Sequence, residues 1–325
     1  SASITARPSF VSATDLHLIA NNNCGIDGAA APIVGFTDDI DADVRDVTTP
    51  DIGADEFSGT GGGPGVWKGI TTNWNDPQNW CGQVPTATIN VTIPAAVANY
   101  PLITTAVPVA RNISIAAGAS VTVSGAGKLG IYGTITNAGT FNVVDGTIEM
   151  AGSTPQTIPA GAFQNNDLKN LVISNASVTL GGELKLYGKL SFGGSNRTFA
   201  TAGFLVLKSN ATGTASVGDI TNNSTVTGNT ITGDVSVERF ITARRAWRFL
   251  SVPTQNNLQT IKESWQENMP ANSTTQSTPA GYGIHITKDS ANWAAYGFDL
   301  QTLPGPSMKY FVPASNIWRG VTSTV

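Results

Sequence analysis

Asn112-Ile113-Ser114-Ile115, Ala119-Ser120-Val121-Thr122-Val123 and Leu129-Gly130-Ile131-Tyr132-Gly133 return later in the chain in altered form. The second copy reads Asn170-Leu171-Val172-Ile173, Ala176-Ser177-Val178-Thr179-Leu180 and Leu184-Lys185-Leu186-Tyr187-Gly188. Apolar and polar residues alternate within most of these pieces, at the period of 2 of a strand with one buried face. Gly, Asn and Ala punctuate them too closely for a helix. The offsets between copies are 58, 57 and 55, so turns absorb small insertions. Short repeated strands joined by Gly/Asn turns predict a solenoid, in which each coil buries its apolar face on its neighbours. At roughly 20–25 residues per coil and about 4.8 Å per stacked strand, the stretch would make a rod about 35–40 Å long. A β-sandwich has the same strand pattern and is the alternative.

Composition narrows the class. Of 325 residues only 12% are charged, while 40% are hydrophobic, 35 are Gly and the net charge is −4. Disorder requires low hydrophobicity with high net charge, and nucleic-acid binding requires a basic face; neither condition is met. No apolar run reaches the 18 residues of a membrane span, so no membrane insertion is expected. A surface made of Thr, Ser, Asn and Gly suits extracellular β-structure and suits charge-dependent catalysis poorly.

Three composition shifts divide the chain. Residues 1–58 form a short acidic segment, and 59–66 lie in a Gly-rich linker centred on Gly61-Gly62-Gly63-Pro64-Gly65. Residues 67–241 carry the β-solenoid pattern. From 242 to 325 a partial, mostly β module follows, with one helical stripe at Leu258, Ile261 and Trp265. The fold class expected is all-β: parallel β-helix or β-solenoid modules followed by a mixed, mostly β module.

Specific strings resemble known families. Asp15-Leu16-His17-Leu18, Cys24-Gly25-Ile26-Asp27, Asp38-Asp39-Ile40-Asp41 with Arg45, and Pro50-Asp51-Ile52-Gly53-Ala54-Asp55-Glu56-Phe57 resemble the closing segment of parallel β-helices in large secreted bacterial proteins. Ala42 departs from that pattern, which usually has Gly there. Trp67-Lys68-Gly69, Trp74, Asn79-Trp80-Cys81-Gly82 and Val84-Pro85-Thr86 resemble the entry motif of β-modules in Bacteroidetes-type cell-surface proteins. Arg244-Arg245-Ala246-Trp247-Arg248-Phe249 and Gly281-Tyr282-Gly283-Ile284-His285 are similar to the module that often follows. The resemblance implies type IX export, an extracellular cell-surface location and a stalk, filament or adhesin role. Its implied partners are other domains of the same long chain or neighbouring copies, surface glycans and secretion machinery. The chain is read as a piece of a longer protein.

Candidate sites are few. Asp39, Asp41 and Asp43 alternate as in a calcium loop, but Val44 stands where the EF-hand needs Gly; Asp–Arg45 pairing and turn capping are the alternative. No other cofactor is indicated. Trp67, Trp74 and Trp80 offer either a glycan-stacking platform or core anchors for the first coil. Cys24 and Cys81 either pair, worth about 4 kcal/mol in the chain-entropy model, or remain buried thiols. Asp289-Ser290-Ala291 fits a short O-glycosylation pattern at Ser290. Acidic residues of the solenoid stretch are scattered, and Glu183 with Lys185 reads as an exposed ion pair. The histidines, His17 and His285, fall in different segments. No catalytic residue is assigned, and a non-enzymatic role is expected over a glycan-binding module or a degenerate polysaccharide-processing β-helix.

Overall fold

The computed structural model describes residues 8–57, 65–81, 83–220, 227–242, 247–249, 259–266, 284, 286–288, 292–299 and 305–325. The chain divides into two compact units, Ser1–Arg248 and Phe249–Val325.

The first unit is a right succession of short strands. They are β1 (Val91–Ile93), β2 (Leu102–Ile103), β3 (Val109–Ala110), β4 (Ile113–Ile115), β5 (Ser120–Ile131), β6 (Ile135–Asn137) and β7 (Thr140–Met150). Then come β8 (Gln156–Ile158), β9 (Asp167–Ile173), β10 (Ser177–Leu180), β11 (Leu184–Leu186), β12 (Lys189–Phe192), β13 (Thr198–Ala200) and β14 (Leu205–Leu207). β15 (Ser209–Asn210) and β16 (Gly213–Thr214) form a small hairpin before β17 (Ser216–Val217), β18 (Thr230–Thr232) and β19 (Val235–Val237). Apart from that hairpin, every pairing among these described strands is parallel. A sandwich of antiparallel sheets is thereby excluded, and the chain is a β-solenoid of about six turns.

Two sheet surfaces run along it. The narrow face holds β1-β4-β6 and then β8-β10-β13-β18. The broad face bends at a corner: it orders β2-β5-β7-β9-β11-β14-β19 on one side, and past the corner β3 pairs with β5, β12 with β9 and β17 with β12. On the narrow face Val91 stands over Ile113 and Ile113 over Ile135, steps of 22 residues. The outward neighbours Thr92, Ser114 and Thr136 align in the same register. Further on, Thr157, Thr179, Ala200 and Thr232 form a second aligned row, flanked by Ser177, Thr198 and Thr230. The inward side chains Val91, Ile93, Ile113, Ile115, Val178 and Phe199 are buried.

This register corrects the phase of the repeat. The echo at 55–58 residues lays Ile113 of β4 on Leu171 of β9, one on the narrow face and the other on the broad face. It spans about two and a half coils of 22. Alternation is alike on both faces, so the sequence matches wherever two apolar combs coincide.

β5 and β7 are long because they turn a corner, with register shifts between Thr122 and Lys128. At the corner the coils approach closely enough that only glycine fits. A Cβ on Gly127 would lie 2.1 Å from the Ile103 carbonyl oxygen.

The tryptophan segment forms the first rung. Val66 bridges Thr92 and Asn73 bridges Leu102, both parallel, so the ladder begins before β1. The acidic segment joins the same unit: the boundary read at 59–66 separates stretches of sequence, while residues 8–57 and the solenoid are one compact body. Residues 58–64 of that linker lie outside the described residues.

In the second unit a short helix, α1 (Ile261–Trp265), is closed by a capping box between Thr260 and Glu263. It lies within the helical stripe, although Leu258 is outside the described residues. Strands β20 (Lys309–Val312) and β21 (Ile317–Gly320) form an antiparallel hairpin. The buried Asp299 carboxylate accepts from the Ile286 amide at 2.8 Å and the Gln266 amide at 3.0 Å.

Candidate functional site

The densest polar chemistry lies in residues 8–57, where carboxylates replace a hydrophobic core. Asp51 is buried and accepts the Gly28 and Phe57 amides, at 2.5 and 2.8 Å. Burial raises its carboxyl above the ordinary range, against the pull of those two amides. Arg45 donates to the Gly53 and Asp51 carbonyls and lies 3.5 Å from Glu56. Glu56 in turn accepts the Asp46 and Asp51 amides. The Thr49 and Thr48 amides hold Asp46 down to about 2. Thus the Asp51–Glu56 string closes on Arg45 and on turn amides, since short loops leave backbone donors that carboxylates can satisfy.

Asp39, Asp41 and Asp55 bring carboxylate oxygens within 4.8 Å of one another. This differs from the alternating trio: Asp43 contributes its amide, donated to Asp39 Oδ1, and Asp55 takes the third place. Chain folding, not local spacing, brings Asp55 there. Asp39 also accepts the Asp41 and Glu56 amides, and Asp55 accepts the Leu18 amide. The Glu56 amide chiefly lowers the Asp39 pKa. These three carboxylates could hold a cation, yet each already serves the loop's own hydrogen bonds or, for Asp41, His17. His17 was not among the candidate ligands; its ring lies 2.5 Å from Asp15 and 2.7 Å from Asp41. The hydrogen bonds to Asp15 and Asp41 raise its pKa.

The three tryptophans are not available to a sugar. Trp67, Trp74 and Trp80 are exposed by only 1%, 1% and 0%. Trp80 packs edge-on against both others, with centroids 4.9 and 4.7 Å away. The Trp67 indole donates to the Asn99 carbonyl at 2.7 Å. The stacking platform is therefore replaced by the core-anchor arrangement: the rings cap the apolar lumen at the first rung, where water would otherwise enter. Buried Asn79 ties the loop, donating to Thr71 and the Asn73 carbonyl.

Cys24 and Cys81 form a disulfide with Cα atoms 5.3 Å apart, fastening the acidic segment to this cap. Lys68 is partly desolvated, which lowers its pKa against the opposing pull of the Asp27 charge.

Charged side chains of the solenoid gather on the broad face. Lys128 meets Glu149 at 2.5 Å, and Lys185 meets Glu183 at 3.4 Å. Lys169 pairs with Asp145 and Lys208 with Glu238. Burial pushes the Glu149 pKa up, but Lys128 and the Ser174 hydroxyl outweigh it and hold the carboxyl low. The four pairs occupy these carboxylates with structural work between and within coils.

Arg248 donates to the Thr242 hydroxyl at 2.7 Å. Arg244, Arg245, His285 and the Ser290 glycosylation candidate lie outside the described residues.

Residues 66–148, about a quarter of the chain, match a family model described as a domain of unknown function, DUF8693. The matched span begins at the tryptophan rung and runs to the end of the third coil. No curated protein and no solved structure matches the chain.

Proposed function

We propose that the chain is a non-enzymatic segment of an exported cell-surface protein, in which the solenoid serves as a stalk, filament or adhesin scaffold. The observation that carries this reading is the parallel ladder that runs unbroken along the broad face from β2 to β19. Each coil hydrogen-bonds to the next through its backbone, so a sideways or axial load is shared among many bonds. The disulfide supports an oxidising, extracellular destination, because such bonds are rare in reducing compartments. Low charge and a Thr/Asn surface fit the same setting, and the resemblance to Bacteroidetes-type surface modules favours type IX export. Its partners in this reading are neighbouring domains of one long chain, or further copies.

Immunolabelling of intact source cells tests it, with an antibody raised against residues 84–242. Labelling without permeabilisation, removed by external protease, is the expected outcome. Signal appearing only after lysis would overturn the reading.

A further inference from the structure

The narrow face carries two parallel rows of small hydroxyl and amide side chains, and its strands hold no charged residue. One row follows the central residue of each strand: Thr92, Ser114 and Thr136, then Thr157 and Thr179, with Thr232 on the last coil. Ala200 is its single gap. The other row lies two residues earlier on each coil: Asn90, Asn112 and Thr134, then Ser177, Thr198 and Thr230, with Pro155 as its gap. All of these positions are exposed or half-exposed.

Not one Asp, Glu, Lys or Arg occurs within the strands of this face, β1, β4, β6, β8, β10, β13 and β18. The strands of the broad face hold Lys128, Asp145, Glu149, Asp167, Lys169 and Lys185.

Geometry fixes the rows in two dimensions. Neighbouring rungs are about 4.8 Å apart, and residues two apart on a strand are separated by about 6.6–6.8 Å. Side-chain freedom is small as well. Threonine is stiff at χ1, the Thr230 hydroxyl donates to Thr198 at 3.2 Å, and the Asn112 amide donates to Asn90 at 2.9 Å. Between β6 and β8 the backbone pairing lapses, and side-chain amides bridge the step instead. Asn137 donates to the Ala162 carbonyl and Gln156 to the Ile131 and Gly133 carbonyls.

An array of this kind presents hydroxyls, with methyls at its threonines, at regular spacings along each of the two runs of paired strands. Each hydroxyl can donate once and accept twice from water, and the methyls leave water between them no competing partner. The two repeats lie close to those of the oxygen lattice on a prism face of ice. We infer that the narrow face binds ice, holding a sheet of ordered water in register with its rows. Sugars offer no equivalent argument, because the face has no aromatic ring to stack on. The inference stands apart from the surface-scaffold reading: either can fail without the other.

The test uses the purified 325-residue chain, a slowly grown ice hemisphere and a recrystallisation assay. The wild-type protein is expected to enter the ice and to keep grains small. Thr136→Lys/Thr179→Lys places a cation in each segment of the face and should reduce both effects to those of an inert control protein. Ser236→Lys, exposed on the broad face, should leave them intact, and circular dichroism checks that all three are folded. Exclusion of the wild type from ice would overturn the inference. So would equal activity of the double variant, or concentration-dependent dimerisation or retention on crystalline cellulose in the absence of ice activity.

Discussion

The Trp80 indole donates to the Trp74 carbonyl at 2.5 Å while its ring stands edge-on to the Trp74 ring at 4.7 Å. One side chain thus satisfies a buried carbonyl and fills the apolar centre of the first rung, while the Trp74 indole nitrogen stays buried without a hydrogen-bond partner among the described residues. Trp80→Ala removes the central ring of the cap and leaves that carbonyl to water. A loss of about 3–5 kcal/mol is expected, as for other buried aromatic truncations. Urea unfolding followed by far-ultraviolet circular dichroism measures it; a change within about 0.5 kcal/mol, the ordinary surface range, would contradict the cap.

Ala42 sits at φ +67° in the turn between the bridged residues Asp38 and Val44. A Cβ in the left-handed region costs about 1–2 kcal/mol, so glycine suits this turn better than alanine. Ala42→Gly should therefore stabilise the protein by about 1 kcal/mol, partly offset by the greater freedom of Gly in the unfolded chain. An unchanged or lowered unfolding midpoint would argue against strain at this turn.

The Gly-rich composition from Ser58 to Gly65 makes this stretch an expected site of nicking, since runs of small residues suit proteases. Cutting there leaves the two pieces joined through Cys24 and Cys81. A non-reducing gel should show one band and a reducing gel two. In Cys24→Ser the pieces should separate without reductant. Two bands from the oxidised wild type would mean that the cysteines are not paired.

His17 is expected to titrate above its ordinary value of 6.5, because hydrogen bonds to Asp15 and Asp41 favour the imidazolium. The sign follows from linkage. Stability from the raised His17 pKa is full below the unfolded value and lost as pH rises through the folded one. The Asp15 carboxyl, held low chiefly by its bond to His17, contributes above its ordinary value and loses that contribution in acid. The bridge is therefore strongest at mildly acidic pH. NMR titration of the ring protons checks this: Asp41→Asn should lower the His17 value, and a wild-type value at or under 6.5 would refute it.

Much of the strand content was legible from alternation. Pieces such as Ile113-Ser114-Ile115 announce a strand, and their close spacing leaves no length for helices; the repeat pointed to a solenoid, and the parallel pairing is what separates it from a β-sandwich. The phase of the coil was not legible, because Ile113 and Leu171 obey the same alternation on different faces. Nor could spacing decide between Asp43 and Asp55, since the latter reaches Asp39 only through the fold. The tryptophans carried two readings in sequence, and only burial separates a cap from a platform. The hydroxyl rows are visible in the sequence as Thr-x-Thr and Asn-x-Thr pieces, but their alignment exists only once the 22-residue register is known.

The Cys24–Cys81 bond also decides which residues feel tension. A pull applied before Cys24 and after Cys81 crosses the sulfur bridge and skips the chain between these residues, which are 57 apart in sequence. The acidic loops, the Gly-rich stretch and most of the tryptophan cap then hang beside the line of force, as a strap hangs beside a buckle. Opening the bond would return about 190–205 Å of extensible chain to that line. The oxidised form is taut at this joint and the reduced form slack, so the thiol chemistry of the surroundings sets how far the chain can stretch.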